Sequence, residues 1–532
     1  GIIPPEVDDG RRSDGAEVEL WVDGEKVAST TARLDQFSPW KVDLSRWAGK
    51  KVKLELRSHS SDPTRDHVQL AQPLIYTPKA EARKVILVFV DTLRRDHLAV
   101  YGYPRDAAPQ LSARARDAVI FEDARTVAPW TLPSSRAVLS GQQPESWFTA
   151  KTLPEQLSSR GWATGAFVGN VYLSSNFDMT TGWGEHGCVN WPLAEVSSRR
   201  ALDFLRRHRD QDSLLMVHYM DMHLPYKEPW SYQGLYATPR PEYLPDGFLR
   251  PTLLNVAAGK RAELKQYLKD RYDQNLHYID DQLAPILAEA GPNAIVVFFA
   301  DHGEEFFDHG DLEHGHSLYD ELLRVPLMIW APGLAGRRVS QPASLLDVTP
   351  TVLELLGYPT DGLDGFSLAA LARGESDPRF DHRARGFGRP LYGEESWGAE
   401  RGGEKYYSRR GKEWYYDLKA DPDEKQNLRS ERDPLPMREA MTEGLGRQVV
   451  LAWRITPNKK GGTTTVDLHV PAGVVTAWVG DDPLLKSDAT VEQRDANTVR
   501  MRFDGTKGQQ REIYVLPKGD ALAATQGAML QL

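Results

Sequence analysis

The chain has 532 residues, of which 40% are hydrophobic and 26% are charged, as in an ordinary soluble globular protein. No apolar run reaches the roughly 18 residues that a membrane-spanning helix needs, and a formal net charge of −10 argues against a broad surface for nucleic acid or anionic membranes. The single cysteine, Cys188, excludes internal disulfides and thiolate metal clusters.

The first part of the chain is rich in short strands. It opens with GIIPPEVDDG, which has neither an initiator methionine nor a signal segment, so we interpret the chain as a processed or trimmed fragment. Residues 16–76 alternate strand-like stretches with turns such as Val22–Gly24, which predicts a β-sandwich-like accessory domain over residues 1–80. Carbohydrate binding is one possible function of this domain. Because the sequence shows no aromatic platform, packing against the neighbouring domain is favoured.

From residue 84 the pattern changes to long apolar runs separated by helical segments. The runs are KVILVFVD, ATGAFVGN, SLLMVHYMD, NAIVVFFAD and VPLMIWAPG, with segments such as SSRRALDFLRRHRD between them. Uninterrupted apolar strands are typical of a mostly parallel sheet buried on both faces, and their alternation with helices predicts an α/β fold over residues 84–445. Residues 446–532 return to strand-like stretches such as TTTVDLHVP, which predict a second β-rich domain.

Polar residues follow four of these apolar runs. They are Asp91, Asn170, Asp221 with His223, and Asp301 with His302. Ligands of open α/β sheets bind outside the carboxyl ends of the strands. The coincidence therefore predicts a single site at these strand ends.

Asp91, Asp301 and His302 form the clearest candidate metal site. Asp91 alone is explained equally well as a helix cap, but two ligand-type side chains directly after NAIVVFFA cannot both face an apolar layer. Two carboxylates and an imidazole offer an O,O,N set, which favours Mn²⁺, Zn²⁺ or Fe²⁺ over the Ca²⁺ or Mg²⁺ that all-oxygen sites prefer. We find no convincing second ligand set, so one divalent ion is expected.

Thr131 lies in APWTLPSSRAVLSG, just before a helix predicted to begin around PSSRAVL, in which Pro133 suits the first helical position. A threonine there commonly caps the helix. Beside the Asp–His pattern we favour a different interpretation. The backbone N–H groups and the positive end of the helix dipole face the Thr131 hydroxyl and a bound anion, and a metal ion makes that hydroxyl an effective nucleophile.

Five segments together resemble the sulfatase branch of the alkaline phosphatase superfamily. They are VILVFVDTLRRDHLAVYGY, PWTLPSSRAVLSG, HYMDMHLPY, FADHGEEFFDHGDLEHGHSLYDELLRVPLMIWAPG and WYYDLKADPDEKQNL, and they run in family order between Lys84 and Leu428. The resemblance implies an alkaline-phosphatase-like core. It also implies metal ligands at Asp91, Asp301 and His302, with Thr131 as nucleophile and further ligand.

The resemblance assigns roles to histidines around this set. His223 matches a position that contacts the anionic oxygens of the substrate. His316, five residues before Glu321, is a candidate to protonate the leaving group or to bind the anion. Loop packing for His223 and helix capping for His316 are the alternatives. His309 and His314 are interpreted as solvated groups, or as groups behind the ligands, rather than as further ligands.

Departures from the sulfatase pattern bear on the chemistry. Sulfatases oxidise a cysteine, or sometimes a serine, to formylglycine within C-x-P-S-R, whereas this chain has Thr131, whose oxidation would give a ketone. The arginine is displaced by one residue to Arg136, which with Asn170 is a predicted substrate-binding residue. The pairs Asp91–Thr92 and Asp301–His302 stand where sulfatases usually have Asp–Asp and Asp–Asn. These changes favour the threonine-dependent phosphodiesterases and the phosphoglycerol or phosphoethanolamine transferases of the superfamily.

We therefore predict a metal-dependent enzyme that cleaves phosphodiester or phosphonate-type esters through Thr131, with Mn²⁺ or Zn²⁺ favoured over Ca²⁺ and water or an alcohol as acceptor. Sulfate ester hydrolysis is the alternative. A non-catalytic member that binds a glycan or envelope polymer is less favoured, because the full ligand and nucleophile set is present. The expected partner is an anionic phosphate, phosphonate or sulfate ester, and no nucleic acid. The resemblance and the β-rich ends favour an extracytoplasmic location (periplasmic, secreted or lipid-anchored), and the oligomeric state is left open.

Overall fold

The structure is a computed structural model that describes residues 2–3, 15–32, 39–61, 67–68, 70, 73–236, 238–245, 247–393, 395–409, 412–446, 451–455, 462–470, 474–479, 489–504, 511–517 and 529–531. The chain divides into two compact units. The first comprises Gly1–Phe89, Lys151–Asp221 and Tyr278–Val297, and the second comprises Val90–Ala150, Met222–His277 and Phe298–Leu532.

Helices and strands are numbered in chain order. The helices are α1 (Pro109–Arg114), α2 (Thr131–Ser140), α3 (Leu153–Ser158), α4 (Ala194–Arg207), α5 (Arg250–Leu254), α6 (Arg261–Ala290), α7 (Asp320–Leu323), α8 (Val348–Leu355), α9 (Ala369–Arg373) and α10 (Leu435–Leu445). Within the described ranges, no helix combines the length and the apolar character needed to cross a membrane.

The strands fall into four stretches of the chain. The first stretch contains β1 (Ile2–Ile3), β2 (Ala16–Val22), β3 (Glu25–Ala32), β4 (Leu54–Ser60) and β5 (His67–Val68). The second contains β6 (Lys84–Val90), β7 (Val119–Arg125), β8 (Ala163–Val168), β9 (Glu185–Cys188), β10 (Ser213–Tyr219), β11 (Ala294–Phe299), β12 (Glu305–Phe306), β13 (Leu312–Glu313), β14 (Arg324–Trp330), β15 (Arg337–Val339) and β16 (Ala343–Ser344). The third contains β17 (Arg385–Gly388), β18 (Ser396–Arg401), β19 (Glu404–Arg409) and β20 (Lys412–Asp417). The last contains β21 (Leu451–Ile455), β22 (Thr463–His469), β23 (Val474–Val479), β24 (Thr490–Gln493), β25 (Thr498–Asp504), β26 (Arg511–Pro517) and β27 (Met529–Gln531).

The first unit holds the buried strands of the predicted α/β core. Five strands lie in the neighbour order β11-β6-β10-β8-β9, and β8 runs parallel to both β10 and β9. Every residue of β8, β10 and β11 is buried, which explains why their sequences are continuous apolar runs rather than alternating ones. Helices α3 and α4 pack against β8. The last residue of β6 and the last two residues of β11 belong to the second unit.

The N-terminal part of the first unit contains an antiparallel sheet in the order β3-β2-β4. Alternate side chains of β2, namely Ala16, Val18, Leu20 and Val22, are buried and form the core face of this sheet. The predicted turn after Val22 is confirmed. Asp23 and Gly24 have φ values of 48° and 83°, as the tight hairpin between β2 and β3 requires. The predicted domain limits at residues 80, 84 and 445 stay predictions.

The second unit contains mixed and antiparallel sheets. Strand β14 runs antiparallel to β7, whereas β15 and β16 run parallel to it. An antiparallel sheet, β17-β18-β19-β20, follows in the chain, and α10 packs against its first three strands. The C-terminal residues form two further antiparallel sheets, β21-β26-β23 and β24-β25-β22-β27. The predicted fold class, an α/β core with a β-rich C-terminal region, is therefore confirmed.

A buried ionic cluster joins the sheet β17-β18-β19-β20 to the start of α7. The Lys405 side chain on β19 is fully buried, and its ammonium lies 2.8 Å from both Asp320 Oδ1 and Glu424 Oε1. Asp320, the first residue of α7, also pairs with Arg125 at the end of β7. Because a buried charge is tolerated only when it is paired, removal of one member leaves the others uncompensated.

We expect Lys405→Ala to lower the free energy of unfolding by roughly 3–5 kcal/mol, which a thermal melt followed by circular dichroism would detect. Lys412→Ala is the matched control, because Lys412 belongs to the adjacent strand β20 and is exposed. Equal melting temperatures for the two variants would contradict a stabilising role for the cluster.

Candidate functional site

The candidate site is formed by polar residues that follow buried strands of the core. Asp91 comes directly after β6, and Asp301 and His302 come shortly after β11. All three side chains are fully buried, and one candidate ligand atom from each lies within 4.8 Å of the others. The prediction that these residues come together is therefore met by the geometry, whereas their role as ligands stays a prediction.

His302 is held in the orientation that a metal ligand needs. Its Nδ1 donates to the carbonyl oxygen of Gly303 at 2.9 Å, the arrangement that aims the Nε2 of a metal-binding histidine at the ion. That Nε2 lies 3.3 Å from Asp301 Oδ2 and 3.6 Å from Asp91 Oδ1. The two carboxylates and the ring nitrogen thus face one point, as ligands of a single ion do.

The electrostatics of this cluster call for a cation. Burial, together with the charge of Asp91, raises the pKa of Asp301 well above the usual range of a carboxyl. Asp301 Oδ1 accepts backbone N–H groups from Thr92 and His302 at 3.3 and 3.0 Å, but within the described residues Oδ2 accepts no hydrogen bond. The donor set, two carboxylates and one imidazole, fits a divalent ion such as Mn²⁺ or Zn²⁺.

Thr131 does not act as the side-chain cap of its helix. Trp130 occupies the cap position of α2, no side chain makes a capping bond there, and Thr131 is the first helical residue. The Thr131 side chain is nearly buried, with its Oγ1 3.5 Å from His302 Nε2. The hydroxyl therefore lies beside the candidate metal ligands, at the first residue of the helix rather than before it, and its role as nucleophile stays a prediction.

Two further histidines line this cluster. The His314 ring lies 4.2 Å from the His302 ring and 4.7 Å from the His223 ring, measured between centroids. His314 Nδ1 lies 3.0 Å from Glu304 Oε1. Burial, followed by the nearby His302 and His223, lowers the pKa of His314 well below the usual histidine value, so the ring is neutral.

The burial of His314 beside His302 could not be predicted from the sequence. It is buried against His302, so the interpretation as a solvated group is wrong for it, and the alternative, a group behind the ligands, agrees with its contacts. A signal was present in HGDLEHGH, a segment with three histidines close behind the Asp–His pair. The spacing in that segment has no helical or strand period, so it did not show which histidine turns inward.

His316 faces a separate, open cavity of about 350 Å³ in the second unit, which is also lined by Asp311, Tyr319, Tyr392 and Arg409. Its Nε2 lies 2.8 Å from Glu305 Oε2. Burial lowers the pKa of His316, but the Glu305 hydrogen bond and the Asp311 charge more than offset that effect, so its pKa is raised.

Glu321, which the sequence spacing connected to His316, bonds a different histidine. His309 Nδ1 lies 2.6 Å from Glu321 Oε1, His309 Nε2 lies 3.0 Å from the Asp423 carbonyl oxygen, and the ring stacks on Tyr319 at 3.4 Å. Both ring nitrogens of His309 are thus engaged in local structure. This agrees with the interpretation that His309 is not a further ligand.

The two predicted substrate-binding residues have different surroundings. The Arg136 guanidinium, on α2, lies 5.5 Å from the Trp147 ring centroid and 5.3 Å from that of Phe148. In the first unit, Asn170 Oδ1 accepts the Tyr172 backbone N–H at 3.0 Å and caps a short 3-10 helix. For both residues, substrate binding stays a prediction.

Asp221, another polar residue at a strand end, has a structural partner within the first unit. Its Oδ1 accepts the backbone N–H of Ala194, the first residue of α4, at 3.1 Å. Burial raises the pKa of Asp221 to about 7. Asp221 therefore caps a helix, which the position of a carboxylate after a strand allows as readily as metal binding.

Comparisons with known proteins identify the family of the chain. A family model described as Sulfatase matches residues 83–358. Phosphoethanolamine transferase EptC of Escherichia coli K12 is 23% identical over 343 residues, which cover 58% of this chain and 56% of that protein. An arylsulfatase of Clostridium perfringens is 24% identical over 451 residues, which cover 65% of this chain and 89% of that protein. The chain thus spans little more than half the length of the transferase.

Solved structures share the fold. The phosphonate monoester hydrolase of Agrobacterium radiobacter superposes with a TM-score of 0.54 at 19% identity, over 69% of this chain and 95% of that one. A putative sulfatase, yidJ, from Bacteroides fragilis gives a TM-score of 0.57 at 16% identity, over 71% of this chain and 96% of that one. At this identity the likeness establishes the fold alone.

The ligand set can be tested by metal binding. We expect the purified protein to bind one Mn²⁺ or Zn²⁺ per chain and to melt at a higher temperature in its presence, since a ligand at 100 times its Kd adds about 2.7 kcal/mol of stability. Asp301→Asn removes a charged ligand and should abolish both the bound metal, measured by mass spectrometry of the elements, and the thermal shift.

Asp311→Asn is the control for that experiment, because Asp311 is a carboxylate of the same loop region that pairs with Arg250 instead. It should keep the metal content and the shift of the unaltered protein. If Asp301→Asn bound metal with unchanged affinity, the assignment of the site would fail.

Proposed function

Because this chain belongs to the sulfatase family, whose members are ester hydrolases or transferases, we propose that it is a metal-dependent enzyme that cleaves phosphodiester or phosphonate-type esters with Thr131 as its nucleophile. One observation carries the proposal. The Thr131 hydroxyl, at the start of α2, lies 3.5 Å from His302 Nε2, beside a buried O,O,N set that fits a divalent ion.

Asp91, Asp301 and His302 would hold the ion, with Thr131 as a further ligand. When bound, a divalent cation supplies positive charge that stabilises an ionised hydroxyl and the anionic oxygens of a substrate at neutral pH. The N-terminal backbone N–H groups of α2 also favour an anion beside Thr131. The near-complete burial of Thr131 limits the access of bulk water to this point.

The reaction we propose is a double displacement. Thr131 Oγ1 forms a bond to phosphorus as the bond from phosphorus to the leaving oxygen breaks, and the leaving oxygen takes up a proton. His316 and His223 are the two candidates to donate that proton. Water or an acceptor alcohol then attacks the phosphothreonine, loses its own proton and releases Thr131. Phosphoryl transfer of this kind depends mainly on positioning and on charge stabilisation.

Sulfate ester hydrolysis is the second candidate, supported by the match to the Sulfatase family model and by the arylsulfatase relative. Threonine lacks the second hydroxyl of a hydrated formylglycine, so a sulfated threonine has no elimination route. We therefore favour phosphoester cleavage over sulfate ester hydrolysis. A non-catalytic binding role ranks last, since a ligand set with a hydroxyl among its members is assembled in one place.

The proposal also includes a preferred metal and a location. An imidazole in the ligand set favours Mn²⁺ or Zn²⁺ over Ca²⁺. We also propose that the protein acts outside the cytoplasm, in the periplasm, secreted or lipid-anchored, because of its family and its β-rich end regions.

Nitrophenyl esters that differ only in the acid group test the proposal: a phosphate monoester, a phosphodiester, a phenylphosphonate and a sulfate, each with Mn²⁺ or Zn²⁺. We expect the diester or the phosphonate to turn over fastest. Thr131→Ala should lower kcat by at least about 10³-fold, because loss of a covalent nucleophile removes a whole catalytic unit.

Thr131→Ser, which keeps the hydroxyl, is the matched control and should retain measurable turnover. Metal content has to stay unchanged in both variants. Fastest turnover of the sulfate ester would favour the second candidate, and full activity in Thr131→Ala would exclude the nucleophile.

The pH dependence identifies the acid. If protonated His316 serves the leaving group, kcat/KM falls as pH rises through its pKa, which lies above the ordinary value of histidine. His316→Gln should then remove this descending limb and lower kcat/KM by about 10²–10⁴-fold. His382→Gln, which alters an exposed histidine, should leave the profile unchanged. Loss of the limb in His223→Gln but not in His316→Gln would assign the role to His223 instead.

A further inference from the structure

The helix that presents Thr131 has an entry without a side-chain cap. Helix α2 begins at Thr131, and Trp130 before it makes no capping hydrogen bond. The first N–H groups of a helix lack partners within the helix, so a cap normally fixes where the helix starts. The contacts of the segments on both sides of α2 therefore bear on the position of its first residue.

We propose that Arg389 is a positioning residue for Thr131, which it places through hydrogen bonds to the segments on both sides of α2. The inference rests on the proposed function, in which the Thr131 hydroxyl attacks the substrate. It concerns the placement of Thr131, and not the three residues Asp91, Asp301 and His302 that form the candidate metal site.

The main chain around Arg389 holds the segment that precedes Thr131. The Trp130 indole N–H donates to the Arg389 carbonyl oxygen at 2.7 Å. One residue earlier, the Gly388 N–H donates to the Val127 carbonyl oxygen at 3.0 Å. The Trp130 ring also packs on the buried Val127 and on Ala137 of α2. The end of β17 is thus bonded to both ends of the short segment that leads into the helix.

The Arg389 side chain reaches the residues on the other side of α2. Its Nε and Nη2 donate to the two carboxylate oxygens of Glu145 at 2.6 and 2.8 Å, and Nη2 donates to Gln143 Oε1 at 3.0 Å. Its Nη1 lies 3.3 Å from the Val127 carbonyl oxygen. A planar guanidinium offers five donors in a fixed fork, so one side chain fixes several acceptors at once.

The backbone of Arg389 indicates that the arginine is held there by its surroundings. Its φ is 64°, in the left-handed region that costs a non-glycine residue roughly 1–2 kcal/mol. Such strain persists where neighbouring contacts over-determine the conformation, and it is common at functional sites. The side chain is 9% exposed, and its guanidinium lies 4.7 Å from the Trp397 ring centroid. Glycine would take this φ without strain, but it would leave Gln143 and Glu145 without the fork.

Three variants test the proposal with bis(nitrophenyl) phosphate and Mn²⁺ as the probe. Trp130→Phe removes one N–H donor but keeps an aromatic ring in the packed position. Arg389→Ala removes the fork, and Arg389→Lys keeps the charge without the fork. We expect kcat to fall by about 10- to 100-fold in the first two, because a displacement of about 1 Å at a reacting group has an effect of this size. Arg389→Lys should be intermediate.

Two readouts separate positioning from stability. Metal content per chain and the KM for the probe should stay within about twofold of the unaltered protein, because the variants leave the ligand set in place and act on kcat. Arg401→Ala is the matched control, since Arg401 lies on the neighbouring strand β18 and pairs with Glu443 instead. It should keep full kcat.

Unchanged kcat in both Trp130→Phe and Arg389→Ala would overturn the proposal. A low melting temperature for Arg389→Ala together with unchanged kcat for Trp130→Phe would overturn it as well, because Arg389 would then act on stability alone. Failure of the proposed function looks different: Thr131→Ala would stay active. Low kcat with normal metal content in Trp130→Phe would support the assignment.

Discussion

The burial of two carboxylates beside one imidazole is the constraint on which the site depends. Asp91 and Asp301 are fully buried, and their mutual repulsion and desolvation disfavour two negative charges at this point. Among the residues that the structure describes, backbone N–H groups donate to only one oxygen of Asp301. A divalent cation removes this conflict. In the proposed function, the charge that would make the folded site tolerable would also stabilise an ionised hydroxyl, so the stability and the proposed reactivity would have one physical origin.

The sequence could predict the ligand set because each member follows a buried strand. Strands β6 and β11 are neighbours and nearly all apolar, so the polar residues after them had to meet at one edge of a sheet. His314 could not be predicted in the same way. Its position depends on the loop that contains the short pair β12–β13, and this loop has no periodic pattern. His314 turns toward His302, whereas His316, two residues later, turns to Glu305.

Arg389 shows a second limit of sequence-based prediction. The sequence Gly388–Arg389 favours the glycine for a left-handed conformation, but the structure gives that conformation to the arginine. The reason is long-range, since the bonds that hold Arg389 come from residues more than 240 positions earlier in the chain. The sequence around Thr131 shows the same limit. A helix cap is predicted from local sequence, whereas the Thr131 hydroxyl lies beside His302, which follows a distant strand.

A threonine nucleophile places a demand on the site that a formylglycine does not. A hydrated aldehyde releases sulfate by elimination through its second hydroxyl, whereas a phosphothreonine is cleaved only by a second attack at phosphorus. Formation and cleavage of the phosphothreonine would therefore rely on the same positive charges of the site. The group that protonates the leaving oxygen in the first step would accept a proton from the attacking water or alcohol in the second. A histidine with a pKa near neutrality suits this exchange. His314 is neutral and hydrogen-bonded to Glu304, while Glu305 keeps His316 protonated to higher pH. The cavity that His316 faces is not lined by Asp91, Thr131, Asp301 or His302, so the choice between His316 and His223 as the group that exchanges the proton stays a prediction.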